Sequence, residues 1–303
     1  MRTLPALRRR WKTRGMRTSL FALQAPVIAA HELGLFAREG VPEHEHVRAR
    51  GSVEQLAALE SGDVDVAITA ADNLFEAQLD GRGLRIFHVA DLGLDQFAVA
   101  GAGVGTWEDV RHRAIGVDSA TSGYAYVLYR LLADHGISRD EVEIAPLGGP
   151  DARFAALADG TIAAGMLNPY FTAHARGAGL AVLAAGGDRF PDYPNLTFAA
   201  RERRLADEPE AFAAYARAIT AGIAWVEDDA HADEAVRLVG AARGIDETAA
   251  RGLYESERRL RRVATPDGAA VRRALETVGA LRGEFTGRTL AAEDVAAAQL
   301  LAR

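Results

Sequence analysis

The residues of this chain that could do chemistry sit just after short apolar runs, and they are hydroxyls, amides and a carboxylate. Ser119, Thr121, Ser122 and Gly123 precede a long apolar helical stretch. The unpaired N–H groups of a helix start, joined by hydroxyl donors, make a seat for an anion or carboxylate. Plain N-capping by Ser122 is the alternative, and Tyr124 either meets a ligand or packs in the core. Gln24, two residues before Pro26, offers an amide donor and acceptor after the first run. Ser52 is a ligand contact or a helix cap. Asp72 and Asn73 open a further helix, where a carboxylate repels an anion but accepts hydrogen bonds from an amine or amidine; an Asp N-cap is the alternative. Asn168 and Tyr170 flank Pro169 after another apolar run. Gly148-Gly149-Pro150-Asp151 reads as a turn with Asp151 as cap, and Asp95 and Gln96 are either ligand contacts or solvated strand ends.

Other chemistries find little support. His44 and His46 alternate on a strand candidate beside Glu43 and Glu45, with no third ligand nearby, and His31, His88, His112, His135, His174 and His231 are scattered along the sequence. No metal is expected. Cysteine is absent, which removes disulfides, thiolate nucleophiles and Cys-based metal sites. Gly101-Ala102-Gly103-Val104-Gly105 lacks the Lys-Ser/Thr pair of a phosphate loop. No Ser-His-Asp order stands out, so no catalytic residue and no cofactor is expected.

The elements that must hold these residues alternate. A strand at 18–23 precedes a helix at 27–39 stopped by Gly40. A weaker strand at 45–50 leads to Ser52, which with Gln55 resembles a capping box opening a helix at 53–60. Strand 64–69, a helix capped by residues 70–73, and strand 84–90 complete a first series. A second follows, with strands at 96–100, 114–117, 142–147, 163–167 and 180–184 and helices at 106–110, 124–135, 151–159 and 171–177. A return segment at 196–200 is expected to pair beside 97–100. From Leu205 onward the pattern is helical, with an N-cap at Asp207 and helices near 209–227, 231–241, 246–261 and 267–282. The fold class is α/β: two Rossmann-like lobes with mixed sheets and a helical C-terminal segment. Lobe I takes 18–94 plus 196–303 and lobe II takes 95–195. Two crossings between lobes suggest a hinged cleft.

The chain has 303 residues, 49% hydrophobic and 25% charged, within the globular range and long enough for a sizeable core. Its net charge of -7 argues against a general nucleic-acid surface. The exception is residues 1–17, a basic leader with Arg8, Arg9, Arg10, Lys12, Arg14 and Arg17, read as solvated and disordered, upstream of a second possible start at Met16. The apolar run after it is broken by Gln24 and Pro26 and does not read as a secretory signal. No stretch approaches the roughly 20 apolar residues of a membrane span. The parsimonious expectation is a cytoplasmic monomer or weak dimer with a small-molecule ligand, periplasmic or cell-surface if a native leader is missing.

The segments LGLFAREGV, GSVEQLAALESGDVDVAI, Gly83-Leu84, AIGVDSATSGY and PDYPNLTFAARERRLADEPEAFAAYARAI resemble the type II periplasmic solute-binding proteins, in the branch that takes alkanesulfonates, taurine, nitrate and thiamine precursors. The resemblance covers roughly residues 18 to 230. It implies two lobes joined by two hinge strands, closing over a small polar or anionic solute that is delivered to an ABC permease. This sequence departs from the transport pattern in lacking a recognisable export signal or lipid-attachment cysteine. The same fold serves cytoplasmic enzymes. A desulfinase would place its cysteine near Gln24, and a pyrimidine synthase would carry a histidine near Asp72 and a late cysteine cluster, so neither fits. A decarboxylase or lyase of an aromatic or heteroaromatic acid, with Asp72 or a histidine as acid/base, is the alternative function. A regulator's sensing domain ranks last, because some 17 leading residues are too few for a helix-turn-helix and linker.

Overall fold

The computed structural model describes residues 15–41 and 44–302. Among them are β1 Arg17–Leu20, β2 Glu45–Arg48, β3 Val66–Thr69, β4 Leu84–Val89, β5 Asp91–Leu92, β6 Phe97–Ala100, β7 Ala114–Val117, β8 Glu143–Pro146, β9 Ala164–Leu167, β10 Val182–Ala185, β11 Thr197–Arg201 and β12 Val263–Ala264. Residues 1–14 of the expected leader lie outside the described residues. The end of that leader is corrected: Met16 is fully buried in the core and Arg17 opens β1.

The chain divides into two compact units. Unit 1 holds the described residues up to Leu92, Pro194–Leu275 and those from Leu290 onward; unit 2 holds Gly93–Tyr193 and Glu276–Thr289. The late segment 276–289 therefore groups with unit 2, where the sequence reading ran lobe I unbroken to 303. The reason is aromatic packing and charge: Phe285 stacks on Tyr126 with ring centroids 5.8 Å apart, and Glu284 pairs with Arg130 at 2.9 Å.

The sheet of unit 1 has the order β2-β1-β3-β11-β4, with β1 parallel to β2 and β3, and β11 antiparallel to both its neighbours. The sheet of unit 2 has the order β8-β7-β9-β6-β10, with β7 parallel to β8 and β9, and β6 antiparallel to both its neighbours. One plan is thus built twice, as mixed sheets. Strands β3 and β9 are buried on both faces, which is why they read as continuous apolar runs. The expected pairing of 196–200 beside 97–100 is corrected. β11 inserts between β3 and β4, with Phe198 opposite Ile68 and His88, and Phe198 is fully buried in the unit 1 core.

The expected single helix at 27–39 is two, Ala25–Glu32 and Leu35–Arg38, because Gly34 between them adopts a left-handed φ of 65°. The helical C-terminal segment is present, with helices Pro209–Glu227, Ala232–Arg243, Glu247–Leu260 and Gly268–Thr286. The cap before Pro209 is Glu208 rather than Asp207. Helix Pro209–Glu227 lies so close to Ala25–Glu32 that a Cβ on Gly222 would fall 2.4 Å from the Pro26 carbonyl oxygen. That contact fixes the first strand-to-helix joint against the core. No helix among the described residues is long and apolar enough to cross a membrane.

Candidate functional site

In a parallel trio each strand ends on the same sheet edge, so the helices that follow begin there. Unit 1 places the starts of Ala25–Glu32, Ser52–Ser61 and Ala71–Leu79 on that edge, after β1, β2 and β3. Unit 2 does the same with Gly123–Asp134, Pro150–Ala158 and Pro169–Gly177, after β7, β8 and β9. Each unit thereby gathers three helix N-termini, with their positive dipole ends, along one line.

In unit 1, Gln24 is the half-buried residue preceding the first helix, and its side chain makes no cap. The Ala25 N–H instead donates to Glu257 Oε2 at 2.9 Å. Burial raises the Glu257 carboxyl above the usual range, while Arg243, 3.1 Å away, and the Ala25 N–H draw it back. A carboxylate of the protein's own therefore already sits at this helix start, which the sequence did not disclose. The expected capping box of Ser52 and Gln55 is not formed: Gly51 is the N-cap and Ser52 the first helical residue. Gln55 is buried and donates Nε2 to the carbonyls of Ser19 on β1, at 3.0 Å, and Ile68 on β3, at 3.1 Å. Both partners are acceptors, so the amide orientation is forced, and Oε1 is left buried without a partner. Asp72 is buried in the first turn of its helix, whose N-cap is Ala70; the alternative of an Asp N-cap is excluded. Asn73 donates Nδ2 to Thr69 Oγ1 at 2.8 Å.

In unit 2, Ser119 and Thr121 are exposed on the loop after β7, and Gly123 is buried at the first helical position with Tyr124 half-buried beside it. Ser122 caps the helix by accepting the Ala125 N–H at 3.1 Å, and its hydroxyl donates to Asp118. Tyr129 braces the same loop, donating to the Ala120 carbonyl at 3.0 Å, and burial raises its phenol pKa. After β8 the N-cap is Gly149, not Asp151, which stands exposed in the first turn behind Pro150. After β9, Asn168 caps its helix by accepting the Phe171 N–H at 3.0 Å, and Pro169 takes the first helical position, where its missing N–H costs nothing. Tyr170 is 38% exposed, with its ring 4.4 Å from that of His174.

Arg153, absent from the expected contacts, is the counterpart of Gln55. Each is the fourth residue of the helix after the second strand of its trio, and each reaches the third residue of the third strand. Arg153 donates Nε to the Met166 carbonyl at 2.9 Å and Nη1 to the Gly148 carbonyl. A signal existed: GSVEQLAALESGDVDVAIT and GPDARFAALADGTIAAGML align at a constant offset of 98 residues, with Gly51, Ala57, Ala58, Leu59 and Gly62 matched by Gly149, Ala155, Ala156, Leu157 and Gly160.

His31, His44 and His46, expected to be unrelated or paired only along a strand, form one ring cluster at the amino-terminal end of β2, with centroids 4.5 to 6.2 Å apart. His44 also stacks on Phe36 and lies 2.8 Å from Thr18 Oγ1. Burial, with the neighbouring histidines, lowers His44 to about 2 and His46 to about 4. Among the described residues no group of three or more His, Cys, Asp or Glu is placed to hold a metal ion. A surface depression lined by Glu247, Thr248, Arg251, Gly252 and Glu255 lies on the single helix Glu247–Leu260, away from these helix starts in sequence.

The sequence model of the family described as NMT1/THI5 like matches residues 23–232. No curated protein sequence matches the chain. Among solved structures, the alkanesulfonate-binding protein SsuA from Xanthomonas axonopodis pv. citri, bound to MOPS, superposes with a TM-score of 0.76 at 18% identity, covering 93% of this chain and 97% of that one. The periplasmic aliphatic sulphonate binding protein SsuA from Escherichia coli gives 0.73 at 14% identity, covering 93% and 92%. The periplasmic nitrate-binding protein NrtA from Synechocystis PCC 6803 gives 0.67 at 16% identity, covering 78% and 68%. At these identities the likeness establishes the periplasmic-binding-protein fold.

Proposed function

The chain belongs to the NMT1/THI5 like family, and from that premise we propose that it binds a small polar or anionic organic solute as the substrate-binding component of an ABC-type uptake system. The observation that carries this reading is the doubled edge: three helix starts after three parallel strands, twice over, on a fold that the sulfonate- and nitrate-binding proteins share. Uptake by such a system makes a membrane permease the partner and puts the protein on the outer side of the membrane. The comparisons do not favour the decarboxylase or lyase alternative.

The solute-contact candidates on the edge of unit 1 are Gln24, Ser52, Asp72 and Asn73, and those on the edge of unit 2, taken by itself, are Ser119, Thr121, Gly123, Tyr124 and Tyr170. Ser122 and Asn168 contribute less than their types suggest. The Ser122 oxygen is spent on its cap and its proton on Asp118, and Asn168 Oδ1 is spent on its cap, which leaves the Asn168 Nδ2 as a donor. Thermal unfolding of the full chain with ethanesulfonate, nitrate, benzoate and an aminopyrimidine tests the proposal. A solute at 100 times its Kd stabilises the folded state by about 2.7 kcal/mol. No stabilisation by any of the four contradicts it.

A further inference from the structure

Resting on the solute-binding reading, we propose that Arg153 is the cation of unit 2 that takes the solute's acid group and sets a preference for an anionic solute over its neutral analogue. The argument starts from the internal repeat. The carbonyl at the third position of the third strand needs a buried donor in both units, and unit 1 supplies it with a neutral amide, Gln55, bonded to Ile68. The structural demand is met without charge. Unit 2 meets the same demand at Met166 with a guanidinium, so its positive charge is surplus to the backbone's need.

That charge is costly where it lies. Arg153 is 5% exposed, and burial lowers its pKa below the usual arginine value. Asp118, Tyr124 and Asp151 pull the other way, but the hydrogen bonds of its guanidinium go to main-chain carbonyls and not to a carboxylate. Its hydrogen bonds go to two main-chain carbonyls, both neutral, and Nη2 makes none. A buried cation held only by neutral acceptors gains most from an external anion. The guanidinium is also in the right place, because its Gly148 partner lies on the loop that follows β8, on the edge where the three helices of unit 2 begin. Planar donors in a fork suit the oxygens of a carboxylate or sulfonate.

The test compares acids with their neutral amides: propionate against propionamide, benzoate against benzamide, ethanesulfonate against ethanesulfonamide, each titrated calorimetrically into the full chain. The wild-type protein is expected to bind at least one acid tenfold or more tightly than its amide. Arg153→Gln, which installs the residue type of the unit 1 counterpart, should abolish that preference while keeping the unfolding midpoint cooperative. Arg153→Lys should keep a reduced preference, and Arg176→Gln, an exposed arginine of the same unit, should leave it unchanged. An amide bound as tightly as its acid by the wild type, or a folded Arg153→Gln or Arg153→Lys protein with the full wild-type preference in the first case or none in the second, overturns the role of Arg153 while solute binding stands. Binding of neither member of any pair overturns both.

Discussion

At the joint after the second strand, unit 1 places Gln55 and unit 2 places Arg153, two side chains of different charge doing one structural task. The caps differ too. None of the three helix starts of unit 1 carries a side-chain cap, whereas Ser122 and Asn168 close two of the three in unit 2. Topology dictates where a donor must stand but leaves its charge free. Differences at equivalent positions are therefore where the chemistry of a solute would leave its mark. Unit 1 presents a forced acceptor, Gln55 Oε1, and a buried carboxylate, Asp72; unit 2 presents a cation.

The comparison is most exposed at Gln55. Gln55→Leu strips the buried donor from the Ser19 and Ile68 carbonyls, and urea unfolding should show a loss of about 3 kcal/mol, since each unsatisfied buried group costs about 1–3 kcal/mol. A loss under about 0.5 kcal/mol, the ordinary range for a surface change, would show that the amide does not hold the strands and would break the equivalence with Arg153.

Acid should separate the units next. His44 and His46 have pKa values held below the ordinary 6.5, at about 2 and about 4, chiefly by burial. The unfolded chain binds protons first, so their stability contribution is complete above pH 6.5 and is lost as pH falls through the window down to about 4 and then about 2. A buried histidine changes stability by up to about 1.4 kcal/mol per pH unit in that window. Amide exchange at β1 and β2 should rise between pH 6.5 and 4.5 before that at β7 and β8, and His44→Gln should flatten the acid slope. Exchange that rises equally in both units would remove this contrast.

The caps give the smallest effects. Ser122→Ala and Asn168→Ala should each cost about 1 kcal/mol in thermal unfolding, the usual value of a side-chain cap. Ser52→Ala, at a helix start with no side-chain cap, should fall within about 0.5 kcal/mol of the wild type. Equal costs at the three positions would contradict the difference in capping between the units.

Much of this was legible from the sequence for a physical reason. Strands such as 66–69 and 164–167 are buried on both faces and read as unbroken apolar runs, and the glycines and small polar residues after them mark the joints. The pairing of 196–200 is not legible in the sequence, because β11 is buried on both faces and carries no period that names its neighbours. Gln55 has the spacing of a capping partner, and spacing alone cannot tell a side chain that turns back to the cap from one that turns down to the strand ends. Glu257 at the first helix start and the cluster of His31 with His44 and His46 come from contacts between residues distant in sequence, 232 apart in the first case, and no local pattern announces them.

That this chain holds a small solute is tested most directly by native mass spectrometry of the freshly purified full chain, read beside its denatured mass. The native mass should exceed the denatured mass by that of a small acid, and the excess should be released on unfolding. Equal native and denatured masses, together with no change in native mass after incubation with ethanesulfonate, nitrate, benzoate or an aminopyrimidine, would contradict solute binding.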